Sequence, residues 1–127
     1  MFDSTRAFAS FAVPDTGTAR AFYRDTLGLN VEDVPGMEEA GLLEIDLGND
    51  RGILLYPKPD HRPAVFTVLN LAVDDIDAAV DHLVDRGVSM LRYEAFDQDE
   101  KGVVREGKPY VAWFTDPAGN VIGLLQE

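Results

Sequence analysis

Phe8-Ala9-Ser10-Phe11-Ala12-Val13-Pro14-Asp15 returns as Val68-Leu69-Asn70-Leu71-Ala72-Val73-Asp74-Asp75, an offset of 60 that matches Ala12 with Ala72, Val13 with Val73 and Asp15 with Asp75. The same offset joins Ala19 to Ala79 and Asp25 to Asp85, and Gly28 reappears as Gly87 after a slip of one residue. Each copy therefore reads as an apolar strand, a helix opened by an aspartate, and a glycine stop. Two copies are too few for a solenoid. They predict two similar modules in a single domain, residues 1–61 and 62–127, with the boundary in Pro57-Lys58-Pro59-Asp60-His61-Arg62-Pro63.

Outward from the repeat, the apolar periods agree with this plan. Asp15 is placed to cap a helix over Thr16–Leu27 that buries Ala19, Phe22, Tyr23 and Leu27, and Ile76, Ala79, Val80, Leu83 and Val84 form the matching stripe in the second copy. Short apolar runs then predict strands at Leu29–Val34, Leu42–Leu47 and Gly52–Tyr56, and at Val88–Tyr93, Tyr110–Thr115 and Val121–Leu125. The turn-forming stretches Gly48-Asn49-Asp50-Arg51 and Asp116-Pro117-Ala118-Gly119 make the last two strands of each module hairpins. The fold class is α+β, with βαβββ made twice. The polar stretch from Asp97 to Pro109 is longer than the usual connection and reads either as a lid or as a solvated hairpin.

Composition narrows the chemistry. The 127 residues contain no cysteine and two histidines, and 23 acidic against 11 basic side chains give a formal charge of −12. Thiolate metal sites and thiol nucleophiles are thereby excluded, and an acidic surface disfavours nucleic acid and anionic lipid as partners. No apolar run approaches the ~20 residues of a membrane span, and Met1–Arg6 lacks a signal-peptide core, so a cytoplasmic location is expected. No glycine-rich phosphate loop occurs, and Ser10 has no histidine near it to act as its base. His61 falls in the inter-module stretch and His82 outside the apolar stripe of its helix, both expected at the surface.

With its βαβββ repeat, Phe22-Tyr23-Arg24-Asp25-Thr26-Leu27-Gly28-Leu29 in the first module and Trp113-Phe114-Thr115-Asp116-Pro117-Ala118-Gly119-Asn120 in the second, the chain resembles the vicinal oxygen chelate superfamily of glyoxalase I, bleomycin-resistance proteins and extradiol dioxygenases. The resemblance implies curved mixed sheets of four strands whose concave faces enclose a cavity, often completed across a homodimer. It also implies where a divalent ion would sit. Metal-dependent members hold it with His and Glu side chains on the first and last strands of the two modules, and the matching positions here are Phe8, Leu54, Val68 and Gly123, the last within Ile122-Gly123-Leu124. None of these side chains has a lone pair to donate, so neither metal nor other cofactor is expected, and Gly123 is expected to leave empty volume where a carboxylate would stand.

Strand alternation then predicts the cavity lining. Phe8, Ser10 and Ala12 face inward, with Val68, Asn70 and Ala72 as their repeat partners and Leu54 and Tyr56 alongside. Pairing Thr115 with Asn120 would put Phe114 beside Val121 and Ala112 beside Gly123, so that Tyr110 and Phe114 face the cavity while Trp113 faces the helices. The register of Tyr93 is not pinned. The expected wall is Phe8, Leu54, Val68, Phe114 and Leu125, the expected polar handles are Ser10, Asn70, Tyr56 and Tyr110, and Glu44 and Asp46 are assigned to an outer or edge face, leaving the pocket nearly uncharged. Ser10 and Asn70 could contact a ligand or equally bond each other or water.

The reading that follows is a metal-free homodimer that binds a small uncharged or cationic organic molecule, aromatic or amphipathic. The alternatives are a lyase, isomerase or dioxygenase of the same superfamily with displaced or substrate-supplied metal ligands, a metal-free catalyst using Tyr56 or Tyr110 as acid, and a module whose cavity is closed by side chains.

Overall fold

The computed structural model describes residues 1–48 and 52–127; Asn49, Asp50 and Arg51, which complete the turn expected after Gly48, lie outside the described residues. The chain forms two compact units, Met1–Arg62 and Pro63–Glu127.

In the first unit, β1 (Ala9–Val13), α1 (Thr16–Ala21), a π-helical turn (Phe22–Thr26), β2 (Asn30–Asp33), β3 (Leu43–Asp46) and β4 (Gly52–Pro57) follow the expected order. The sheet runs β1-β4-β3-β2, parallel between β1 and β4 and antiparallel elsewhere. Asp15 caps α1 as expected, its Oδ1 accepting the Gly17 amide at 2.9 Å and its Oδ2 the Thr18 hydroxyl at 2.8 Å. The helix then widens, with the Leu27 amide reaching the Phe22 carbonyl at 3.0 Å. Both Phe22 and Tyr23 are buried in this widened turn. Tyr23 is fully buried against Phe11 and Phe22, at centroid distances of 6.0 and 5.3 Å. Phe11, Val13, Leu43, Ile45, Ile53 and Leu55 complete this helix-side core, and burying each such side chain stabilises the fold by about 1.5–3 kcal/mol.

The second unit departs from the expected plan at one element. It consists of β5 (Thr67–Ala72), α2 (Ile76–Asp85), β6 (Tyr110–Thr115) and β7 (Val121–Gln126), in a three-stranded sheet of order β5-β7-β6. The strand expected at Val88–Tyr93 is reduced to a single bridge between Met90 and Phe114 and one bond from the Leu91 amide to the Trp113 carbonyl, 2.8 Å. A side chain supplies what a ladder would have supplied. Gln98 donates to the Leu91 carbonyl at 3.0 Å and accepts from the Tyr93 amide at 2.7 Å, so these backbone groups are satisfied without a fourth strand. α2 keeps its expected bounds, capped by Asp75 and by the Gln126 side chain, which accepts the Ile76 amide at 2.8 Å.

The stretch from Asp97 to Pro109 is a bonded hairpin pinned to α2. Isolated bridges join Gln98 to Val104 and Val104 to Val111, and Val103 is fully buried. Asp99 accepts the Lys101 and Val103 amides at 2.9 Å and Arg105 Nε at 2.7 Å, while Arg105 Nη2 reaches Asp77 of α2 at 2.6 Å and Lys101 reaches Asp81 at 3.0 Å. Burial opposes the charge on Asp99, but hydrogen bonds from Arg105, Val103 and Lys101 outweigh it and hold the carboxyl below its usual range. A group with a depressed folded pKa stabilises the fold fully above its unfolded value and loses that contribution as pH falls through the folded value. The melting temperature of the wild-type protein should therefore exceed that of Asp99→Asn at neutral pH, and the gap should close as acidification carries the pH below the ordinary aspartate range and through the depressed folded value. A gap unchanged in acid would show that the Asp99 charge does not hold the hairpin.

Candidate functional site

In each unit, one sheet face is packed by that unit's helix and the other carries no helix. Register decides which side chains stand on the helix-free face. In the first unit Ser10 opposes Leu54, Leu54 opposes Glu44, and Glu44 opposes Glu32; Tyr56 and Ala12 lie one step along the same face. This face holds a concavity of about 440 Å³ lined by Phe8, Val34, Met37, Leu42, Glu44, Gly52 and Leu54. Phe8 and Leu54 thus line a pocket, with Phe8 66% exposed at its edge. Ser10 and Tyr56 share the face without lining that concavity.

Glu44 corrects the expectation of an uncharged pocket. β4 is apolar on both faces, through Ile53 and Leu55 on one and Leu54 on the other, so apolarity alone does not show which face of β3 it meets. The register does: Leu43 and Ile45 join the helix-side core, and Glu44 is placed beside Leu54.

In the second unit the expected hairpin register is wrong by one residue. Asp116 and Asn120 close the turn, with the Asp116 amide bonded to the Asn120 carbonyl at 2.9 Å, so Thr115 pairs with Val121 rather than with Asn120, and Trp113 rather than Ala112 opposes Gly123. The slip arises because Asp116 Oδ1 takes up the amides of Ala118 and Asn120, both at 2.9 Å, which tightens the turn. A slip of one exchanges the faces. Phe114 is therefore not a wall of the helix-free face: it is fully buried on the α2 side with Ala112, Ile122 and Leu124. Tyr110 follows it, opposite Gln126, and carries Lys108 Nζ 3.8 Å above its ring.

What the helix-free face does present is Trp113, Gly123, Asn70 and Leu125, the last paired with Val111 and Ala72. Val68 stands at an irregularity in pairing between Thr67 and Leu69, so alternation does not carry through it. Trp113 belongs to a cluster missed from the sequence. Tyr93 meets it edge-on at 5.1 Å, and Phe96, half exposed, lies against it at 5.1 Å and 34°. A tryptophan in a strand next to a helix suggests core, and only the register shows otherwise.

Phe8, Leu54, Val68 and Gly123, the positions expected from the resemblance to correspond to metal ligands, carry side chains that do not fit a divalent ion. Gly123 does not leave empty volume. A Cβ built on it would run into Asn70 Oδ1 and lie 3.4 Å from Thr67 Cγ2, so the Asn70 amide already fills that space. Among the described residues, no three His, Asp or Glu side chains group as a metal site elsewhere. His82 is exposed on α2 and His61 half-buried.

A helix-backed mixed sheet built twice within 127 residues, each time with its second face free of helix, defines the class of paired-module α+β proteins. The chain belongs to the Glyoxalase/Bleomycin resistance protein/Dioxygenase superfamily, whose family model matches residues 6–124. It is 32% identical over 128 residues to the mitochondrial methylmalonyl-CoA epimerase of Mus musculus, covering 91% of this chain and 68% of that one. Among solved structures it is similar to TnmS3, an antibiotic binding protein from Streptomyces sp. CB03234, with 30% identity, 98% of each chain covered and a TM-score of 0.68. A glyoxalase/bleomycin resistance protein of the same source gives 32% identity and a TM-score of 0.64 over 94% of this chain and 100% of that one. Among the described residues no helix is long and apolar enough to cross a membrane.

Proposed function

We propose that this protein is a metal-free small-molecule-binding protein, a cytoplasmic homodimer that sequesters an aromatic or amphipathic organic compound. One observation carries the reading: at Gly123 the space for a metal-bound carboxylate is filled by the Asn70 amide, while the same face carries an aromatic cluster of half-buried Trp113 and Tyr93 with exposed Phe96. Aromatic side chains around a few polar groups are the usual composition of sites for organic ligands. The likeness to an antibiotic binding protein supports the same class of ligand. Phe8, Ser10, Leu54 and Tyr56 in the first unit, and Asn70, Gly123 and Leu125 in the second, remain proposed binding residues; Val68 stays at the margin, and Phe114 and Tyr110 leave the set.

Trp113 is the sole tryptophan, so its emission reports on one place. Titration of metal-stripped protein with planar aromatic compounds should change that emission and raise the melting temperature together, since a ligand at 100 times its dissociation constant adds about 2.7 kcal/mol of stability. A response that requires an added divalent ion would overturn the metal-free reading. Light scattering that gave a monomer at all working concentrations would remove the homodimer.

A further inference from the structure

The concavity of the first unit contains one charged side chain, and the backbone is shaped to admit it. A Cβ built on Gly52 would lie 2.5 Å from Glu44 Cγ, 2.8 Å from Glu44 Cδ and 2.8 Å from the Ile45 carbonyl oxygen. Side chains do not approach so closely. The missing side chain at Gly52 is therefore what lets the Glu44 side chain lie over the β4 backbone, on the lining of the concavity that it shares with Phe8, Met37, Leu42 and Leu54.

Among the described residues nothing pairs with it. Glu44 stands directly opposite Glu32, a like-charge cross-strand pair of the kind that destabilises a sheet. Among the described residues neither carboxylate forms an ion pair, whereas Asp33, next along β2, is bonded by Arg20 of α1. A cation held there would relieve the repulsion while its apolar body covered Phe8 and Leu54.

From this we infer that the concavity is a cation-selective subsite, taking the ammonium or guanidinium group of an amphipathic ligand at Glu44, with Gly52 as the positioning residue. The inference rests on the small-molecule-binding reading and specifies the charge of the ligand. Gly52 acts only through the space it leaves, and Glu32 adds to the negative field without lining the concavity.

The test is a matched pair of probes, naphthylmethylamine and naphthylmethanol, titrated calorimetrically at neutral pH and low salt. The amine should bind about five-fold more tightly than the alcohol, the scale of a partly exposed ion pair. That ratio should fall to about one in Glu44→Gln, to an intermediate value in Glu32→Gln, and toward one in wild-type protein at about 1 M salt. Gly52→Ala should also reduce it, by forcing the carboxylate off its seat; if that variant does not fold, the near-isosteric and exposed Glu44→Gln still decides. Equal affinities for the two probes in wild-type protein, or a preference that survives Glu44→Gln, overturn the inference and leave the binding reading standing. Binding of neither probe overturns both for this concavity.

Discussion

Phe114→Ala is expected to lower the unfolding free energy by about 3–5 kcal/mol, the usual effect of removing a fully buried phenylalanine. The ring sits between the sheet and α2, in a layer formed with Ala112, Ile122 and Leu124. Met90, bridged to Phe114 through the backbone, should loosen with it. Urea unfolding monitored by circular dichroism measures the loss. The same variant distinguishes the two possible hairpin registers, because a Phe114 on the helix-free face would be a ligand wall and not a core residue. A loss below about 1 kcal/mol together with abolished binding of aromatic compounds would favour the other register.

Asp116→Ala is expected to cost about 2–4 kcal/mol, because its effect is concentrated on buried polar groups. Asp116 is 3% exposed and Asn120 2%. One carboxylate oxygen accepts two backbone amides at 2.9 Å and the other accepts Asn120 Nδ2 at 3.1 Å, so alanine leaves buried donors without their acceptor. Asp116→Asn should cost less, since one carbonyl oxygen can still receive the two amides while the new amide group cannot accept from Asn120. The order wild type, Asp116→Asn, Asp116→Ala in urea midpoint is the expected result, and equal midpoints for the two variants would mean that the two backbone-amide bonds contribute nothing. Loss of this turn also frees the register of β6, so a shifted Trp113 emission maximum in the surviving folded state should accompany the destabilisation.

These two residues show where the sequence was legible and where it was not. The repeat from Phe8 and Val68, the caps at Asp15 and Asp75 and the glycine stops at Gly28 and Gly87 are local signals, each tied to one helix end or one alternation, and the elements they predict form. The motif from Trp113 to Asn120 located the last hairpin correctly. What it concealed was a single step of register, because Asp-Pro-Ala-Gly-Asn can be closed at Thr115 or at Asp116, and only the side-chain bonds of Asp116 choose between them. That one step moved Phe114 and Tyr110 off the expected face and moved Trp113 onto it. Glu44 was missed for a related reason: an acidic residue alternating with the core residues Leu43 and Ile45 reads as belonging to an outer face until the register sets it beside Leu54. The absent strand at Val88–Tyr93 depended on Gln98, a polar side chain in a polar stretch with no pattern to mark it.

The contact between Asn70 and Gly123 also constrains how this chain could change over time. Glutamate introduced at 123 alone would meet the Asn70 amide at its first carbon, whereas a smaller residue at 70 makes room for it. The two positions are therefore coupled: a carboxylate on β7 requires the Asn70 side chain either to swing aside or to be replaced. A glycine that looks like a simple loss is thus one half of a pair, and the side chain across the strands shares in deciding what can stand there.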